Sequence, residues 1–337
     1  MPITTIHPHQ IAQSQLIITA NTTLNGNDKI QAELRKELLE GLTSDNMYIS
    51  SKFFYNRHGS ELFEWITQLP EYYPTRTEKE IINTYKNELF AHLSHVDLIE
   101  LGSGDCSKIS IALNAIAEDH RDSIIYYPID FSSSSIKTSK RLLNKAFPGL
   151  KIEGRVADFT QLNELPNKQP RIICFFGSTI GNFEPQQTAQ LLTRLSKLMH
   201  TGDQLILGMD LVKNIHILEA AYNDSQRITE AFNKNILRSC NGILGTNFIA
   251  SDFEHQAFFN PEKSRIEMHL RALNDLYIKS YYFNGRIIIR KGESIHTENS
   301  HKYTEESIHD LAQKSGLSIK NIYHDLNQWF AVVQLCK

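Results

Sequence analysis

Five apolar runs rich in β-branched residues recur along the chain, with segments of helical spacing between them. The runs are VDLIEL (96–101), SIIYYPI (123–129), KIEGRV (151–156), RIICFF (171–176) and DQLILGM (203–209). Near-continuous apolarity is typical of strands that are buried on both faces of a parallel sheet. The pattern therefore predicts the parallel strands of an α/β protein.

The segments between these runs predict helices over Cys106–Ile116, Ser134–Ala146 and Pro185–Met199. The third of them places Leu191, Leu192, Leu195 and Leu198 on one face. Strands that alternate with helices in this way indicate a doubly wound α/β sheet with right-handed crossovers.

The pattern changes after Met209. A long helix-rich piece covers 217–237, and alternating runs follow around FEHQAFF (253–259), SRIEMHLRAL (264–273), YIKSYYF (277–283) and RIIIRKG (286–292). Alternation of this kind is typical of antiparallel strands with one face in water. We therefore expect a second, structurally different region here.

A helix and two strands are predicted at the C-terminal end. The sequence TEES at Thr304 predicts a helix start with a capping box, with Glu306 near the third helical position, and the helix should continue to about Lys314. Strand-like runs follow at 317–325 and 328–336. We expect this ending to complete the parallel sheet after a long insertion.

These changes of pattern predict the domain organisation. We expect an N-terminal arm over 1–33 and a sheet domain made of 77–210 and 304–337. The remaining segments, 34–76 and 211–303, should form a second domain.

Composition and charge exclude several classes of protein. The chain has 35 basic and 38 acidic residues and a formal net charge of −3, which gives no electrostatic footprint for nucleic acid or a membrane surface. No apolar run approaches the roughly 20 residues of a membrane span, and the first residues do not resemble a secretory signal. We expect a cytoplasmic protein without nucleic-acid or membrane partners.

The cysteines and histidines predict neither a disulfide framework nor a metal site. The four cysteines are widely spaced, without a C-x-x-C pair, and Cys174 lies in an apolar run that favours a core position. The 14 histidines include no H-E-x-x-H motif, and His296 and His301 lack a matching third ligand. We therefore expect no bound metal.

A glycine turn at the end of the first run is the main candidate for ligand binding. In LIELGSGDCSKIS (98–110), Gly102 and Gly104 allow a tight turn, but Ser107 replaces the third glycine of a dinucleotide-binding motif. Asp130 ends the second run, where an acid can accept hydrogen bonds from ribose hydroxyls. A dehydrogenase would use both of these features.

A further pair of residues favours a different cofactor. Asp158 and Phe159 follow the third run, where an acid could bind an adenine amino group and an aromatic ring could cover the base. Together with the predicted C-terminal helix and strand pair, they favour S-adenosylmethionine, which has no pyrophosphate and does not need the third glycine. Asp158 could also be a simple turn-forming residue at a strand end.

Several strings of the sequence resemble one family in particular. They are KFFYNRHGSELFEWITQLPEYYPTRTEKEI, ELGSGDCSK, FFGSTIGNF, LVKN, AFNKN, RIEMHLRA and TENSHKY, in this order. From about Leu34 to the C-terminus the chain resembles the histidine-specific N-alpha-methyltransferases of ergothioneine biosynthesis. The resemblance implies a class I, Rossmann-like methyltransferase sheet, with a substrate-binding domain made from the N-terminal part and the insertion.

The resemblance also implies an activity and a set of site residues. It implies methylation of the alpha-amino group of L-histidine by S-adenosylmethionine, up to the trimethylated betaine hercynine, in an enzyme that we expect to be a monomer. The implied cofactor residues are Gly102, Lys108, Asp130, Asp158 and Phe159. The implied substrate residues are Tyr55, Tyr72, Gly177, Asn182, Tyr222, Met268, Glu298 and Ser300.

Individual roles follow from the same resemblance. Asn182 would anchor the amino-acid head and, with Tyr72, form the catalytic pair, while Tyr222 would help to hold the carboxylate. Glu298 and Ser300 would bind the imidazole. His269 and Asn299 depart from the family's pattern, but they only flank pocket residues, which are unchanged.

Three alternatives remain open from the sequence. The same fold could methylate another aromatic amino acid, such as a tryptophan derivative, although Glu298 suits an imidazole N–H better than an indole. A nicotinamide oxidoreductase is a second alternative, against which Ser107 and the Asp158–Phe159 pair argue. The third is a cofactor-binding protein without catalysis, against which the complete set of pocket motifs argues.

Overall fold

The computed structural model describes residues 26–166, 170–280, 282 and 285–337. The first 25 residues of the predicted N-terminal arm therefore lie outside the described residues, and residues 26–33 belong to a helix. No helix in the described ranges is long and apolar enough to cross a membrane.

The helices and strands have the following bounds. The helices are α1 (Gly26–Leu42), α2 (Arg57–Ile66), α3 (Tyr73–Lys86), α4 (Ser107–Ala115), α5 (Glu118–Arg121), α6 (Ser133–Ala146), α7 (Pro185–Leu198), α8 (Ile215–Ala220), α9 (Ile228–Leu244) and α10 (Glu305–Lys314). The strands are β1 (Asp97–Leu101), β2 (Ile125–Asp130), β3 (Lys151–Ile152), β4 (Arg155–Val156), β5 (Arg171–Phe175), β6 (Gln204–Asp210), β7 (Phe253–Asn260), β8 (Arg265–Ala272), β9 (Leu276–Ile278), β10 (Ile287–Ile289), β11 (Ser294–His301), β12 (Ser318–His324) and β13 (Phe330–Cys336).

The predicted parallel sheet is present. Its strand order is β12-β13-β6-β5-β1-β2-β3, and β4 also pairs with β2. The pairs β1–β2, β1–β5, β5–β6, β2–β3 and β2–β4 are parallel, whereas β13 pairs antiparallel with both β6 and β12. The prediction of a doubly wound α/β sheet that ends in a helix and two strands is confirmed.

Alternate residues of the central strands pack on opposite faces of this sheet. In β1, Leu98 belongs to one buried cluster, and Ile99 and Leu101 belong to another. Both clusters consist mainly of buried apolar residues, so the sheet is covered on both sides. Burial of both faces explains why the strands are continuous apolar runs in the sequence. Cys174 is fully buried in the first cluster, as predicted.

One predicted strand is interrupted. The run KIEGRV forms two separate two-residue strands, and β3 pairs with Ile125 and Tyr126 whereas β4 pairs with Ile129 and Asp130. Pro128 of β2 lies between these two paired stretches and has no N–H to donate to a ladder. The interruption follows from that missing donor.

The predicted helix-rich piece over 217–237 is present as two helices, α8 and α9, and α9 continues to Leu244. They are separated by a turn in which Arg227 has a φ of 60°. Asp224 ends this turn by accepting hydrogen bonds from the N–H groups of Ile228 (2.9 Å) and Thr229 (2.8 Å). The side chain of Asp224 therefore satisfies donors at the start of α9 and fixes its beginning.

The capping box at Thr304 is present with a different partner. The Thr304 hydroxyl accepts from the N–H of Ser307 (3.2 Å), and the Ser307 hydroxyl accepts from the N–H of Thr304 (2.9 Å). Glu306 was the predicted partner, but α10 begins at Glu305 and Ser307 is therefore its third residue.

Two compact units can be distinguished by their internal contacts. Among the described residues, the first contains 26–71, Leu218–Asn260 and Ile266–Asn299, and the second contains Tyr72–Ile217, Pro261–Arg265 and Ser300–Lys337. The first unit includes α1, α2, α9, a three-stranded sheet in the order β11-β8-β7 and the antiparallel pair β9–β10. The second contains the parallel sheet.

The units differ from the predicted domain bounds at several segments. Residues 72–76, 211–217, 261–265 and 300–303 fall in the second unit. Contacts with Asp210 explain this for two of the segments, because the Tyr73 hydroxyl donates to Asp210 and Lys302 pairs with the same carboxylate. The functional roles of the two predicted domains stay predictions.

Candidate active site

The glycine turn after β1 leaves its outer side open. Gly102 has a φ of 78°, which favours glycine, and its N–H donates to the carbonyl of Ile129 at 2.8 Å. A Cβ atom placed on Gly102 or Gly104 would meet no described atom within 4 Å. The turn therefore offers backbone that a ligand can approach closely.

Asp130 fixes this turn at the end of β2. One carboxylate oxygen accepts from the N–H of Ser103 (3.0 Å), and the other accepts from the N–H of Ser132 (2.7 Å). Burial raises the pKa of Asp130, and the two N–H groups oppose that rise. A carboxylate has about four acceptor positions, so these two bonds leave capacity for ligand hydroxyls.

Asp158 and Phe159 form a local turn after β4. The Asp158 carboxylate accepts from the Thr160 N–H (2.9 Å) and hydroxyl (2.6 Å), which is the role of a turn-forming residue at a strand end. The Phe159 ring lies edge-on to Phe175, with centroids 5.2 Å apart. These contacts hold the turn in place, and binding of adenine by this pair remains a prediction.

Lys108 and Gly177 are brought together by a residue to which the sequence reasoning gave no role. Glu78 of α3 is fully buried; it accepts from the Lys108 ammonium at 2.8 Å and from the Gly177 N–H at 2.9 Å. A Cβ on Gly208, in the middle of β6, would lie only 1.9 Å from a Glu78 oxygen. Glycine at 208 therefore makes room for this carboxylate.

The loop GSTIGN after β5 has a tightly determined backbone. Gly177 and Ser178 have φ values of 81° and 53°, and a short 3₁₀ turn covers Thr179–Asn182. A Cβ on Gly181 would lie 2.9 Å from the carbonyl oxygen of His301, so this position needs glycine. These constraints fix the backbone around Asn182, which ends the turn.

A buried ionic network supports Ser300. The Lys302 ammonium, which is fully buried, donates to the Ser300 hydroxyl oxygen at 2.6 Å and pairs with Asp210 at 2.8 Å. Lys213 pairs with the other Asp210 oxygen at 2.6 Å, and the Tyr73 hydroxyl donates to this carboxylate at 2.7 Å. Ser300 is thus fixed as a hydrogen-bond acceptor toward Lys302.

The charges in this network shift each other's ionisation. Burial alone would raise the pKa of Asp210, but the two ammonium groups of Lys302 and Lys213 lower it overall. Burial lowers the pKa of Lys213 to about 8, although Asp210 opposes the change. Asp210 therefore stays ionised and balances two cations.

The implied substrate residues are divided between the two units. Tyr72, Gly177, Asn182 and Ser300 belong to the second, and Tyr55, Tyr222, Met268 and Glu298 belong to the first.

Within the first unit, Met268 is 1% exposed in β8, and its carbonyl accepts from the Thr297 hydroxyl at 3.0 Å. Tyr222 is buried, whereas Tyr55 is 38% exposed and packs edge-on against Phe63. Glu298 lies in β11, the strand that also contains Ser300.

In the second unit, Tyr72 precedes α3 and is buried. Its carbonyl accepts from the Arg76 guanidinium at 3.3 Å. The roles of these residues in substrate binding stay predictions.

The sheet has the strand order of the class I S-adenosylmethionine-dependent methyltransferases, including the antiparallel strand pair at the C-terminus. A glycine turn follows β1 and an acid ends β2, as in that class. A family model described as "Histidine-specific methyltransferase, SAM-dependent" matches residues 34–337. The chain belongs to this family, and the resemblance seen in the sequence is confirmed.

Named relatives agree with the family. The chain is 35% identical over 294 residues to the histidine N-alpha-methyltransferase of Mycolicibacterium smegmatis, covering 86% of this chain and 90% of that protein. It is 36% identical over 294 residues to the protein of the same name from Mycobacterium tuberculosis, covering 87% and 91%. The Schizosaccharomyces pombe "Ergothioneine biosynthesis protein 1" is 26% identical over 290 residues, which are 82% of this chain and 37% of that protein.

Proposed function

We propose that this enzyme transfers methyl groups from S-adenosylmethionine to the alpha-amino group of L-histidine, up to the trimethylated betaine hercynine, as the first step toward ergothioneine. The family and its relatives support the reaction class and the substrate. The structural observation that supports histidine most directly concerns Ser300, which lies two residues after Glu298 on the same strand. Its hydroxyl accepts a hydrogen bond from the buried Lys302.

The residues at the ends of β1 and β2 fit the cofactor. The open turn at Gly102 would lie against it, and Asp130 has acceptor capacity for its ribose hydroxyls. Asp158 and Phe159 would hold the adenine, and Lys108 completes the proposed set. When bound, this cofactor supplies an activated methyl group, so the chain itself must mainly place an amine in line with that group.

Asn182 and Tyr72 are the proposed catalytic residues. A side-chain amide both donates and accepts, so Asn182 can bind the amine and the carboxylate of an amino acid without adding charge. Tyr72 and Tyr222 would contribute hydroxyl groups to the same amino-acid head. Well-oriented reactants can gain roughly 7–11 kcal/mol from positioning alone, which makes these contacts important for the rate.

Glu298 and Ser300 would select the imidazole. Alternate residues of a strand share a face, so both side chains are presented on the same side of β11. An ionised Glu298 can only accept a hydrogen bond, whereas a serine hydroxyl such as that of Ser300, which accepts from Lys302, is a group that can also donate. Together they match a ring with one N–H group and one acceptor nitrogen.

The test is the choice among amino acids by a Glu298→Gln variant. The amide keeps the shape but loses the charge-assisted bond, so kcat/KM for histidine should fall by roughly 10- to 100-fold while apolar amino acids change little. The matched control is Glu254→Gln, at an exposed acid of the same three-stranded sheet. Equal discrimination by wild type and Glu298→Gln, or a preference of the wild type for tryptophan derivatives, would overturn the assignment.

We also propose that the enzyme works as a monomer in a reducing cytoplasm. Its four cysteines are free thiols, and three of them are buried. Analytical ultracentrifugation with and without a reducing agent tests the oligomeric state, and a covalent or non-covalent dimer at micromolar concentration would contradict the monomer.

A further inference from the structure

Three potential metal ligands meet in the first unit. Glu267 and His269 lie on β8, and His296 lies on β11, the neighbouring strand of the same sheet. One ligand atom from each residue lies within 4.8 Å of the other two. Glu267 and His269 are two residues apart and therefore share a face of the sheet.

The three side chains are already in contact with one another. His269 Nε2 lies 3.1 Å from Glu267 Oε2, and the His269 and His296 rings are stacked with centroids 4.7 Å apart. Glu267 is only 7% exposed. A carboxylate with so little solvent depends on polar neighbours rather than on water, and a bound cation would be a further, charged neighbour.

Neighbouring groups orient two of these ligands. His296 Nε2 lies 3.0 Å from the carbonyl oxygen of Glu298, which can only accept, so this nitrogen carries the proton and Nδ1 has the lone pair in a neutral ring. Asn260 donates to Glu267 Oε1 at 3.0 Å and leaves Oε2 toward His269. Outer hydrogen bonds of this kind are typical of histidine and carboxylate metal ligands.

We propose that Glu267, His269 and His296 form a binding site for a divalent transition-metal ion of the Zn²⁺ type. Two imidazoles and one carboxylate suit Zn²⁺, Ni²⁺ or Cu²⁺ better than Mg²⁺ or Ca²⁺, which prefer oxygen ligands. Three protein ligands leave a fourth position of a tetrahedral ion open. The two rings, now only 15° from parallel, must rotate so that both lone pairs point at the ion.

An aromatic stack without any ion is the competing explanation. The ring of Phe258 lies 5.4 Å from that of His269 at an interplanar angle of 10°, so three rings follow one another. Hydrogen bonds and stacking could hold this arrangement by themselves. The two explanations differ in whether the protein binds metal.

Equilibrium dialysis of the full chain against Zn²⁺ tests the proposal. The protein is first treated with a chelator, and histidine is left out because the free amino acid binds Zn²⁺ itself. We expect one tightly bound ion per chain, with affinity reduced at least about tenfold in His269→Asn and in His296→Asn. His309→Asn, at an exposed histidine of α10, is the matched control and should bind like wild type.

A milder variant removes an orienting group and keeps all three ligands. Asn260→Ala should weaken Zn²⁺ binding by about tenfold, the effect expected of an outer-shell partner. Thermal unfolding without metal checks that each variant folds, and added Zn²⁺ should raise the midpoint of wild type but not of the double variant His269→Asn/His296→Asn. Wild type that binds no more Zn²⁺ than this double variant would overturn the proposal in favour of the aromatic stack.

Discussion

Two buried carboxylates of the second unit, Glu78 and Asp210, show two ways of supporting a site. Both are at most 1% exposed. Glu78 binds one ammonium group and one backbone N–H, from Lys108 and Gly177. Asp210 binds two ammonium groups and a phenol, from Lys213, Lys302 and Tyr73.

The difference lies in what each carboxylate holds in place. Glu78 joins a proposed cofactor residue to the loop that leads to Asn182, so it orients backbone. Asp210 fixes Lys302, which donates to Ser300, so it orients a side chain proposed to bind the substrate. Removal of Asp210 leaves two cations without their partner, whereas removal of Glu78 leaves one.

Asp210→Asn should have the largest effect. Breaking a buried ion pair costs about 3–5 kcal/mol because the remaining charge is uncompensated, and here two charges remain. We expect the free energy of unfolding to fall by about 5 kcal/mol, with poor soluble yield, in urea denaturation. The control is Asp310→Asn, which breaks an exposed pair with Lys314 and should cost about 0–1 kcal/mol. A small fall in the free energy of unfolding of Asp210→Asn would show that the Asp210 charge is not needed to stabilise Lys213 and Lys302 in the folded chain.

Glu78→Gln should lower the free energy of unfolding by about 3 kcal/mol, which is less than the effect of Asp210→Asn. The amide oxygen can still accept from the Gly177 N–H, but Lys108 loses its charge partner. Affinity for S-adenosylhomocysteine should fall as well, since Lys108 is a proposed cofactor residue. Calorimetry of the folded variant measures this. Unchanged affinity in a folded variant would remove Glu78 and Lys108 from the cofactor site.

Glu100 allows a test by pH. Burial raises the pKa of Glu100 to about 7, although the Tyr126 hydroxyl, which donates to it, opposes the rise. Between its usual pKa of 4.5 and about 7, the folded chain holds a proton that the unfolded chain has lost, so stability falls as pH rises through this range. Between about pH 5 and about pH 8, the ionisation of Glu100 should lower the free energy of unfolding by up to about 3 kcal/mol.

Glu100→Gln should remove that part of the pH dependence, measured as urea denaturation at both pH values. The exposed Glu118→Gln serves as its control. Identical pH profiles of the Glu100→Gln variant and wild type would show that Glu100 is ionised in the folded chain throughout.

Ser300→Ala should have the smallest effect on stability and a selective effect on activity. Loss of one hydrogen bond costs about 0.5–1.5 kcal/mol, so kcat/KM for histidine should fall roughly tenfold. Lys302 keeps Asp210 as its partner, so stability should change little. Steady-state kinetics check this, and Ser300→Thr, which keeps the hydroxyl, should retain more activity than Ser300→Ala.

The sequence predicted the parallel sheet well because burial on both faces leaves a pattern within each strand. It also predicted the positions of the glycine turn after β1 and of Asp130 at the end of β2, because these residues lie at the ends of the apolar runs themselves. The role of Glu78 was missed because its partners lie 30 and 99 residues away. Gly208 inside a strand was an available signal, since a glycine there often marks the close approach of another group.

The histidine cluster was missed for a similar reason. Glu267 and His269 are close in sequence, but the third member, His296, comes from another strand. Metal motifs are recognised by short spacings on one element, and no such spacing exists here. Local turn chemistry explains a smaller difference, because Ser307 rather than Glu306 completes the capping box at Thr304.

The central claim is that the alpha-amine of histidine is the acceptor. The most direct measurement gives wild-type enzyme an equimolar mixture of free amino acids with isotope-labelled S-adenosylmethionine, and identifies the labelled products by mass spectrometry. We expect label on the alpha-nitrogen of histidine, up to three methyl groups, with phenylalanine and leucine disfavoured by roughly 10⁴-fold, because a site built to bind polar groups rejects analogues without them. Label mainly on tryptophan or tyrosine, or on the imidazole ring, would contradict the account.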